Sequence, residues 1–331
     1  MGKDTLSVVM PAFNEETGIS RSVSRVMGVL GDTNLHWEII VVDDGSKDGT
    51  YDRICELAGI DSRVIGVKLS RNFGKEAALL AGLRMATGDA VVTIDSDLQH
   101  PPEVIKKMVA EWQRGAKIVH GVKGHRKSDS RITRLRARIF NKFMKLTAGL
   151  DLYQTSDFKL LDRAAVKVVT ERLPERVRFY RGLAAWAGLS VAKVYFEVEE
   201  RLDGQSKWSM RQLIGLAVNA VTSFTALPLR IVTILGVATL SFGILVGGEA
   251  LYSWAQGRAV SGFATIIITL LILGSFIMIS LGVIGEYIAR IYEEVKQRPV
   301  YLIEASTSET FPDLCDKESA SSVLKPERKL R

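Results

Sequence analysis

Two long segments without a charged residue lie in the C-terminal third of this 331-residue chain. Residues 231–248 form an uncharged run of 18, and residues 263–284 form an uncharged run of 22. A helix rises about 1.5 Å per residue, so about 20 apolar residues cross the hydrocarbon core of a bilayer. The second run reaches that length, and the first reaches it when it is extended to Pro228 or past Glu249. We therefore predict a two-helix transmembrane hairpin over residues 228–290.

Basic residues flank the two uncharged runs on their outer sides. Arg230 precedes the first run, and Arg290, Lys296 and Arg298 follow the second, whereas the loop between the runs carries Arg258 alone. Because positive charge near membrane helices favours the cytoplasmic side, we predict a two-span protein of the inner or plasma membrane with both ends in the cytoplasm. The first residues contain no apolar run of the signal-peptide type, so we also expect a cytoplasmic N-terminal domain.

The first 227 residues alternate short apolar runs with segments of helical pattern. The runs at 6–10, 37–42, 64–69 and 90–94 predict strands that are apolar on both faces. Strands of this kind with helices between them predict an α/β, Rossmann-like parallel sheet that is covered on both faces. Ligands bind at the carboxyl ends of the strands in such sheets. The polar residues expected at that edge are Asn14, Glu15, Asp44, Asp95 and Asp97.

The sequence Asp95-Ser96-Asp97 directly follows the predicted strand at 90–94. Two carboxylates on one loop can hold a hard divalent cation such as Mg²⁺ or Mn²⁺. A cation held this way keeps positions open for substrate phosphates and neutralises charge on a diphosphate leaving group. The alternative is a turn or a helix cap. The buried strand before the motif and the proline-led helix after it favour the metal site.

The segment from Asp43 to Thr50 closes the second predicted strand. Its residue types are typical of turns and helix caps, and that interpretation suits Ser46 to Thr50. A carboxylate at the strand end can also accept hydrogen bonds from a nucleobase or a ribose. We favour Asp44 over Asp43 for this role.

The formal net charge of +7 indicates an anionic partner. Part of the excess lies in residues 131–145, where apolar residues recur at three- and four-residue steps with basic residues between them. A basic amphipathic helix suits the surface of anionic membrane lipids, and an ordinary solvated basic face is the alternative. No nucleic-acid-binding module is recognisable, so no nucleic-acid partner is expected. Cys55 and Cys315 form no CxxC pair, so neither a zinc site nor a disulfide framework is expected.

Four segments carry a family resemblance: VVMPAFNEE, VVDDGSKDGT, LSRNFGKEAAL and IDSDLQHPPE. In order and spacing they resemble the inverting glycosyltransferase family 2. The segments TSDFKLLDR (155–163), RFYRGLAAW (178–186) and RLDGQSKW (201–208), with the two membrane helices, resemble its polyprenyl-phosphate branch. That branch includes dolichol-phosphate-mannose synthases, undecaprenyl-phosphate aminoarabinose transferases and bactoprenol glucosyltransferases, and the last group is the most similar in layout.

The resemblance implies a GT-A catalytic domain over residues 1–227 and a set of site residues. Pro11, Glu15 and Asp44 are implied to contact the nucleotide, and Asn14 and Lys75 are counted with the substrate-binding residues. The cation is implied to be surrounded by Asp95, Asp97 and Gln99. The acceptor site is implied to consist of Asp157 with Arg126, Arg134, Arg201 and Lys207. Asp97 and Asp157 are the expected catalytic residues.

The resemblance implies transfer of one sugar to undecaprenyl or another polyprenyl phosphate. The likeness to the bactoprenol glucosyltransferases favours UDP-glucose as the donor, and a GDP-sugar is the alternative. A Gln-x-x-Arg-Trp motif, which marks processive polymer synthases in this family, does not occur, so a single transfer is expected. The phosphate is mostly dianionic at neutral pH and needs positioning more than a base. Asp157 as a general base and Asp157 as a positioning group both stay open.

Three alternatives remain for the whole chain. One is an oligomeric transport or scaffold protein for lipid-linked sugars, and homo-oligomers are in any case an open possibility. Another is a different lipid acceptor, and a third is another sugar, such as mannose or aminoarabinose. Residues 291–331 are expected to form a cytoplasmic tail whose end is disordered.

Overall fold

The computed structural model describes residues 4–123, 142, 145–146, 155–173, 175–176, 178–197, 221–222, 225–257 and 263–308. The strands are β1 (Thr5–Ala12), β2 (His36–Asp43), β3 (Val64–Leu69), β4 (Ala90–Thr93), β5 (Ile118–Lys123), β6 (Thr155–Asp162), β7 (Val191–Phe196) and β8 (Ile303–Ser306). The helices are α1 (Ile19–Gly31), α2 (Thr50–Ile60), α3 (Lys75–Met85), α4 (Val104–Gln113), α5 (Arg163–Lys167), α6 (Tyr180–Trp186), α7 (Leu227–Ala255) and α8 (Phe263–Lys296). One π-helical turn, Val168–Arg172, follows α5.

The eight strands form one mixed sheet in the order β7-β5-β6-β4-β1-β2-β3-β8. The centre is parallel, because β1 pairs in parallel with both β2 and β4, and β2 pairs in parallel with β3. Strand β6 runs antiparallel to β4 and β5. The predicted α/β fold is therefore confirmed, but the sheet is parallel only in part, because β6 and β8 run antiparallel to the strands beside them. The direction of β6 matters for the site described below.

Helices cover both faces of the sheet, because alternate strand residues point to opposite sides. In β1, Val8 and Met10 pack into the core that includes α1 and α4. Val9 lies between them and packs into the second core, with α3 and α5. Gly82 of α3 sits directly over this strand, and a Cβ there would come within 2.3 Å of a methyl group of Val9. Both cores fix the carboxyl ends of the central strands at one edge.

The helices α7 and α8 are long and apolar enough to cross a membrane. Their candidate spans are Leu227–Ser253 and Ile268–Lys296, with mean hydropathies of 2.1 and 2.4 and no buried residue in the most apolar windows. Large apolar side chains face outward along both helices, for example Leu245 at 73% and Leu271 at 65% exposure. A core helix of a soluble protein would be buried, so exposed surface of this kind needs an apolar environment. Membrane insertion and its orientation stay predictions.

The segment boundaries in the structure differ from those expected at residues 227 and 290. Helix α8 continues to Lys296, and Ile303–Ser306 then forms β8 along the edge of β3. The N–H of Gly66 donates to the Thr307 hydroxyl (2.8 Å), and the N–H of Thr307 donates to the Gly66 carbonyl (2.9 Å). The chain divides into residues up to Trp208 together with those from Pro299, and a second unit, Ser209–Arg298. Part of the expected tail thus belongs to the sheet, because an open strand edge offers unpaired backbone groups.

Candidate active site

The loop after β4 presents its acidic residues in a regular alternation. The side chains at positions 95, 97 and 99 are partly exposed, whereas those at 96, 98 and 100 are buried. Leu98 has a φ of 54°, and the N–H of Gln99 donates to the Asp97 carboxylate at 3.1 Å. The hydroxyl of Ser22 in α1 donates to the carbonyl of Ser96 at 2.5 Å. The buried residues therefore anchor the loop, and the three expected cation-binding residues are left accessible.

A cluster of four charged side chains lies beside this loop. The Lys75 ammonium is 2.6 Å from Asp95 Oδ1 and 2.8 Å from Asp157 Oδ2. Arg181 holds Asp157 with two hydrogen bonds, from Nε to Oδ1 at 2.7 Å and from Nη2 to Oδ2 at 2.9 Å. The predicted acceptor-site carboxylate and the predicted metal-site carboxylate thus share one lysine.

The antiparallel course of β6 brings Asp157 to the carboxyl end of the parallel strands. Asp157 lies near the start of β6, and β6 pairs with β4 so that Lys159 lies opposite Thr93. The Thr93 hydroxyl donates to the backbone carbonyl of Asp157 at 2.5 Å. A strand that runs in the opposite direction begins where its neighbour ends, so Asp157 faces the loop that contains Asp95.

The cations set the ionisation of both carboxyl groups. Burial alone would raise the pKa of Asp95, but the adjacent ammonium of Lys75 keeps that pKa below its usual value. Burial acts in the same direction on Asp157, yet Lys75 and Arg181 together hold its pKa well below the usual range. Attraction to Asp157 in turn raises the pKa of Arg181. The cluster is therefore a set of ionised pairs.

A second, deeper layer of polar groups lies under this cluster. The Glu76 carboxylate accepts the backbone N–H of Tyr180 at 2.9 Å, and burial raises the pKa of Glu76 to about 7. Lys159 is fully buried, and its Nζ lies 4.6 Å from the centre of the Tyr180 ring. Burial lowers the pKa of Lys159 to about 7. The Tyr180 hydroxyl lies 3.1 Å from the Thr93 hydroxyl, so this layer supports β4 and α6 beneath Asp157.

The loops after β1 and β2 are joined by hydrogen bonds. The N–H of Asn14 donates to the Ser46 hydroxyl at 2.9 Å, and the N–H of Lys47 donates to the Asn14 side-chain oxygen at 3.0 Å. The N–H of Glu15 donates to the Thr50 hydroxyl at 2.9 Å. Asn14 adopts a φ of 53°, a conformation that asparagine tolerates better than most residues. Asn14 and Glu15 thus lie at the expected edge, next to the loop after β2.

Asp44 has a structural role in this site. Its carboxylate accepts the N–H of Phe73 at 2.8 Å and that of Gly74 at 2.9 Å, and the residue is 3% exposed. Burial raises its pKa to about 6, although these two bonds lower it. Gly45, with a φ of 65°, lets the loop before α3 approach, because a Cβ there would lie 2.3 Å from the carbonyl carbon of Arg71. Asp44 therefore anchors the loop that presents Lys75, and its contact with a nucleotide stays a prediction.

Of the remaining predicted site residues, the structure describes Pro11 alone. Pro11 is buried in β1 opposite Val42, so its contact with a nucleotide also stays a prediction. The expected acceptor-site residues Arg126, Arg134, Arg201 and Lys207 all lie outside the described residues. Most of the basic segment at 131–145 lies outside them too.

Three charged residues of the site were not predicted from the sequence: Arg181 of the cluster, and Glu76 and Lys159 of the layer beneath it. A signal for Lys159 was present, because a lysine inside the apolar strand sequence Phe158-Lys159-Leu160 requires buried partners. Arg181 lies in the segment RFYRGLAAW, which contributed to the family resemblance without a residue being singled out. The bond that defines its role joins α6 to β6, and no sequence spacing reports it.

The residues present fit a divalent cation that is coordinated partly by the protein and partly by a substrate. In the part of the chain that the structure describes, no three acidic, histidine or cysteine side chains gather into a complete metal cage. Asp95 and Asp97 supply two accessible carboxylates on one loop. Mg²⁺ in phosphate-handling sites is commonly held by one or two carboxylates plus substrate phosphates and water.

The mixed α/β sheet, with an acidic loop at the carboxyl end of its central strands, has the arrangement of a GT-A glycosyltransferase fold. The family described as glycosyl transferase family 2 matches residues 7–169. The chain belongs to glycosyltransferase family 2, and it is a glycosyltransferase that uses a nucleotide sugar.

Two relatives and one solved structure illustrate the similarity. The uncharacterized glycosyltransferase sll0501 of Synechocystis is 40% identical over 90% of this chain and 94% of its own length. The SfII prophage-derived bactoprenol glucosyl transferase of Shigella flexneri is 39% identical over 91% of this chain and 98% of its own length. Glucosyl-3-phosphoglycerate synthase from Mycobacterium tuberculosis is a solved structure that is 26% identical, with a TM-score of 0.46, over 66% of this chain and 78% of that one.

Proposed function

We propose that this chain transfers one glucose from UDP-glucose to a polyprenyl phosphate at the cytoplasmic face of the membrane, with inversion and with Mg²⁺ or Mn²⁺. The observation that carries the proposal is the cluster at the end of β4. There a cation-compatible acidic loop adjoins Asp157, which is held by Lys75 and Arg181. A negatively charged donor and a negatively charged acceptor need positive groups between them, and this cluster supplies them.

The acceptor is argued from charge and from apolar surface. The side chains of Lys75 and Arg181 are 36% and 39% exposed, so each has donor capacity left for a phosphate. The helices α7 and α8 expose apolar surface, as expected for an enzyme whose acceptor lies in a membrane. The name of the Shigella flexneri relative supports a polyprenyl acceptor and a glucosyl donor. The choice of glucose rests on that name, and the choice of UDP rests on the family resemblance of the sequence motifs.

The residues divide the chemistry between them. A bound cation supplies charge neutralisation to the leaving diphosphate, and Asp95 and Asp97 would hold it. Asp157, already ionised, orients Lys75 and Arg181 towards the incoming phosphate. The phosphate oxygen forms the new bond to the anomeric carbon while the bond to the nucleoside diphosphate breaks. Attack from the face opposite the leaving group inverts the anomeric configuration.

A transfer assay with the purified full-length protein tests the proposal. UDP-glucose, undecaprenyl phosphate and Mn²⁺ should yield a lipid-linked hexose by mass spectrometry, and NMR of the product should show the β-anomer. GDP-mannose and UDP-galactose, tested in parallel, should give much less product. No transfer from any of these donors would refute the proposal.

The acceptor class is tested by treating the lipid with alkaline phosphatase before the assay. Loss of product is expected, because a neutral hydroxyl would need a true general base, whereas the phosphate does not. Undiminished transfer to the dephosphorylated lipid would favour the alternative of a neutral lipid acceptor. The alternative of an oligomeric transport or scaffold protein predicts binding without turnover.

A further inference from the structure

Lys75 is paired with Asp95, one of the two carboxylates proposed to hold the cation. Its Nζ lies 2.6 Å from Asp95 Oδ1, within the distance of a charge-assisted hydrogen bond. The second oxygen of Asp95 faces His100, whose Nδ1 is 3.9 Å away. A divalent cation on Asp95 and an ammonium on the same carboxylate would repel each other at close range. A divalent cation that bound the same oxygen of Asp95 would therefore displace the ammonium.

The surroundings of Lys75 allow it to move. Its side chain is a flexible four-carbon stem with three donors, is 36% exposed, and starts at the first residue of α3. Asp157 also accepts two hydrogen bonds from Arg181, so its carboxylate keeps a cationic partner when Lys75 moves away. The loop before α3 stays fixed by the bonds from Phe73 and Gly74 to Asp44. Movement of the side chain thus needs no movement of the backbone.

We propose that Lys75 is an exchangeable internal cation: it neutralises Asp95 in the empty site, releases it when a divalent cation binds, and then faces the substrate phosphates. The inference rests on the proposed metal dependence. It adds a competition between the Lys75 ammonium and the divalent cation for Asp95, which the proposed function does not require. In the empty site, two carboxylates, Asp95 and Asp157, balance two cations, Lys75 and Arg181. In the loaded site, the released ammonium is free to bind phosphate.

The test measures binding of Mn²⁺ alone to the full-length protein by electron paramagnetic resonance, without nucleotide. Lys75→Met keeps the length of the side chain and removes the competitor, so Mn²⁺ should bind about tenfold more tightly, or 1.4 kcal/mol. Transfer activity should fall in the same variant, because the phosphate loses a donor. A general loss of structure would weaken both, so opposite changes in the two readouts identify the exchange.

Two further variants control the test. Lys75→Arg keeps a cation on Asp95 and should leave Mn²⁺ binding unchanged or weaker. Lys106→Met removes a lysine paired at 2.9 Å with Asp32, on the exposed side of α4, and should change nothing. The gain in Lys75→Met should persist at about 0.5 M salt, because screening weakens long-range charge effects much more than contact pairs.

The outcomes separate this inference from the proposed function. Unchanged or weaker Mn²⁺ binding by Lys75→Met overturns the exchange, and so does a gain that high salt abolishes. Either result leaves metal-dependent transfer by the wild type intact. Absence of any Mn²⁺ binding by the wild type, with or without UDP, would instead contradict the metal dependence itself. If Lys75→Met does not fold, Lys75→Arg decides, because tighter Mn²⁺ binding by that variant contradicts the exchange.

Discussion

Both carboxylate oxygens of Asp157 accept hydrogen bonds from cationic side chains, which limits its ability to act as a base. Lys75 and Arg181 hold its pKa well below the usual range even though burial opposes them. A carboxylate that binds protons so weakly is a poor general base near neutral pH. A polyprenyl phosphate has a second pKa of about 6 and is already mostly ionised at neutral pH. The geometry therefore favours the positioning role for Asp157.

The variant Asp157→Asn tests that role. It keeps the shape of the side chain and loses the charge that aligns Lys75 and Arg181, so kcat should fall about tenfold to a hundredfold. The acidic limb of the rate profile should stay near pH 6 at a lower plateau. Asp157 itself is ionised throughout this range, since its pKa lies below the usual value, and its removal cannot take that limb away. Steady-state rates between about pH 5 and 8 measure this, and a missing limb would restore the general base.

Other carboxyl groups titrate in the same range and need a control. Burial raises the pKa of Asp44 to about 6 and that of Glu76 to about 7. Replacing the acceptor by a phosphonate analogue, whose second ionisation occurs at higher pH, should move the limb upward if the acceptor is responsible. A limb that stays in place would assign it to the protein.

The acidic loop gives a second prediction. Asp95→Asn and Asp97→Asn should each lower transfer by about a hundredfold or more, roughly 3 kcal/mol, because each removes a cation-binding carboxylate. The thermal unfolding midpoint should change little, since both side chains are partly exposed and their loss creates no core cavity. A chelator should silence the wild type, and added Mn²⁺ should restore it. Full activity of either variant in the presence of chelator would exclude a metal-assisted reaction.

At the scale of elements, β8 is the feature that a sequence pattern least suggests. Tyr301 and Ile303 pack against the core that includes α3, and the strand closes the edge of β3. Buried apolar area and ladder hydrogen bonds both contribute to stability. The strand therefore ties the segment after α8 to the catalytic sheet.

Truncation after Arg298 tests the contribution of β8, because it leaves α8 intact. The edge of β3 and part of the core become exposed, so the unfolding midpoint of the catalytic unit should fall by about 5 °C or more. The matched control is Glu304→Gln, which removes the ion pair with Lys68 at 3.1 Å and keeps the strand. That pair is partly exposed and should matter by less than about 1 kcal/mol. Equal unfolding midpoints for the truncated and full-length chains would show that β8 does not stabilise the sheet.

At the scale of the whole molecule, the two apolar helices are the feature that predicts a location in a membrane. Both helices expose large apolar side chains, which favours an apolar environment such as a membrane. A reporter fused at residue 258 should be accessible from outside the cytoplasm, and reporters at residues 2 and 320 should not. The reason is the excess of basic residues outside the hairpin. A cytoplasmic signal at 258, which lies outside the described residues, would contradict the two-span hairpin.

The sequence by itself determined the four central parallel strands, the apolar helices and the acidic loop. Each depends on local order: strands on apolar runs of fixed length, and Asp95 and Asp97 on their place directly after β4. The end of each strand can be located from its own local sequence. Parallel strands bring their carboxyl ends to a common edge, so the residues after those ends are expected to lie close together.

Only the tertiary structure decided which charges meet. Lys75, Asp157 and Arg181 come from α3, β6 and α6, and they converge because β6 runs antiparallel to β4. The same holds for β8, which pairs with the edge of β3 although the two strands lie far apart in the chain. Contacts between residues far apart in the chain depend on strand direction and packing, and neither leaves a periodic trace in the sequence. The sharing of Lys75 between two carboxylates is therefore a property of the folded chain alone.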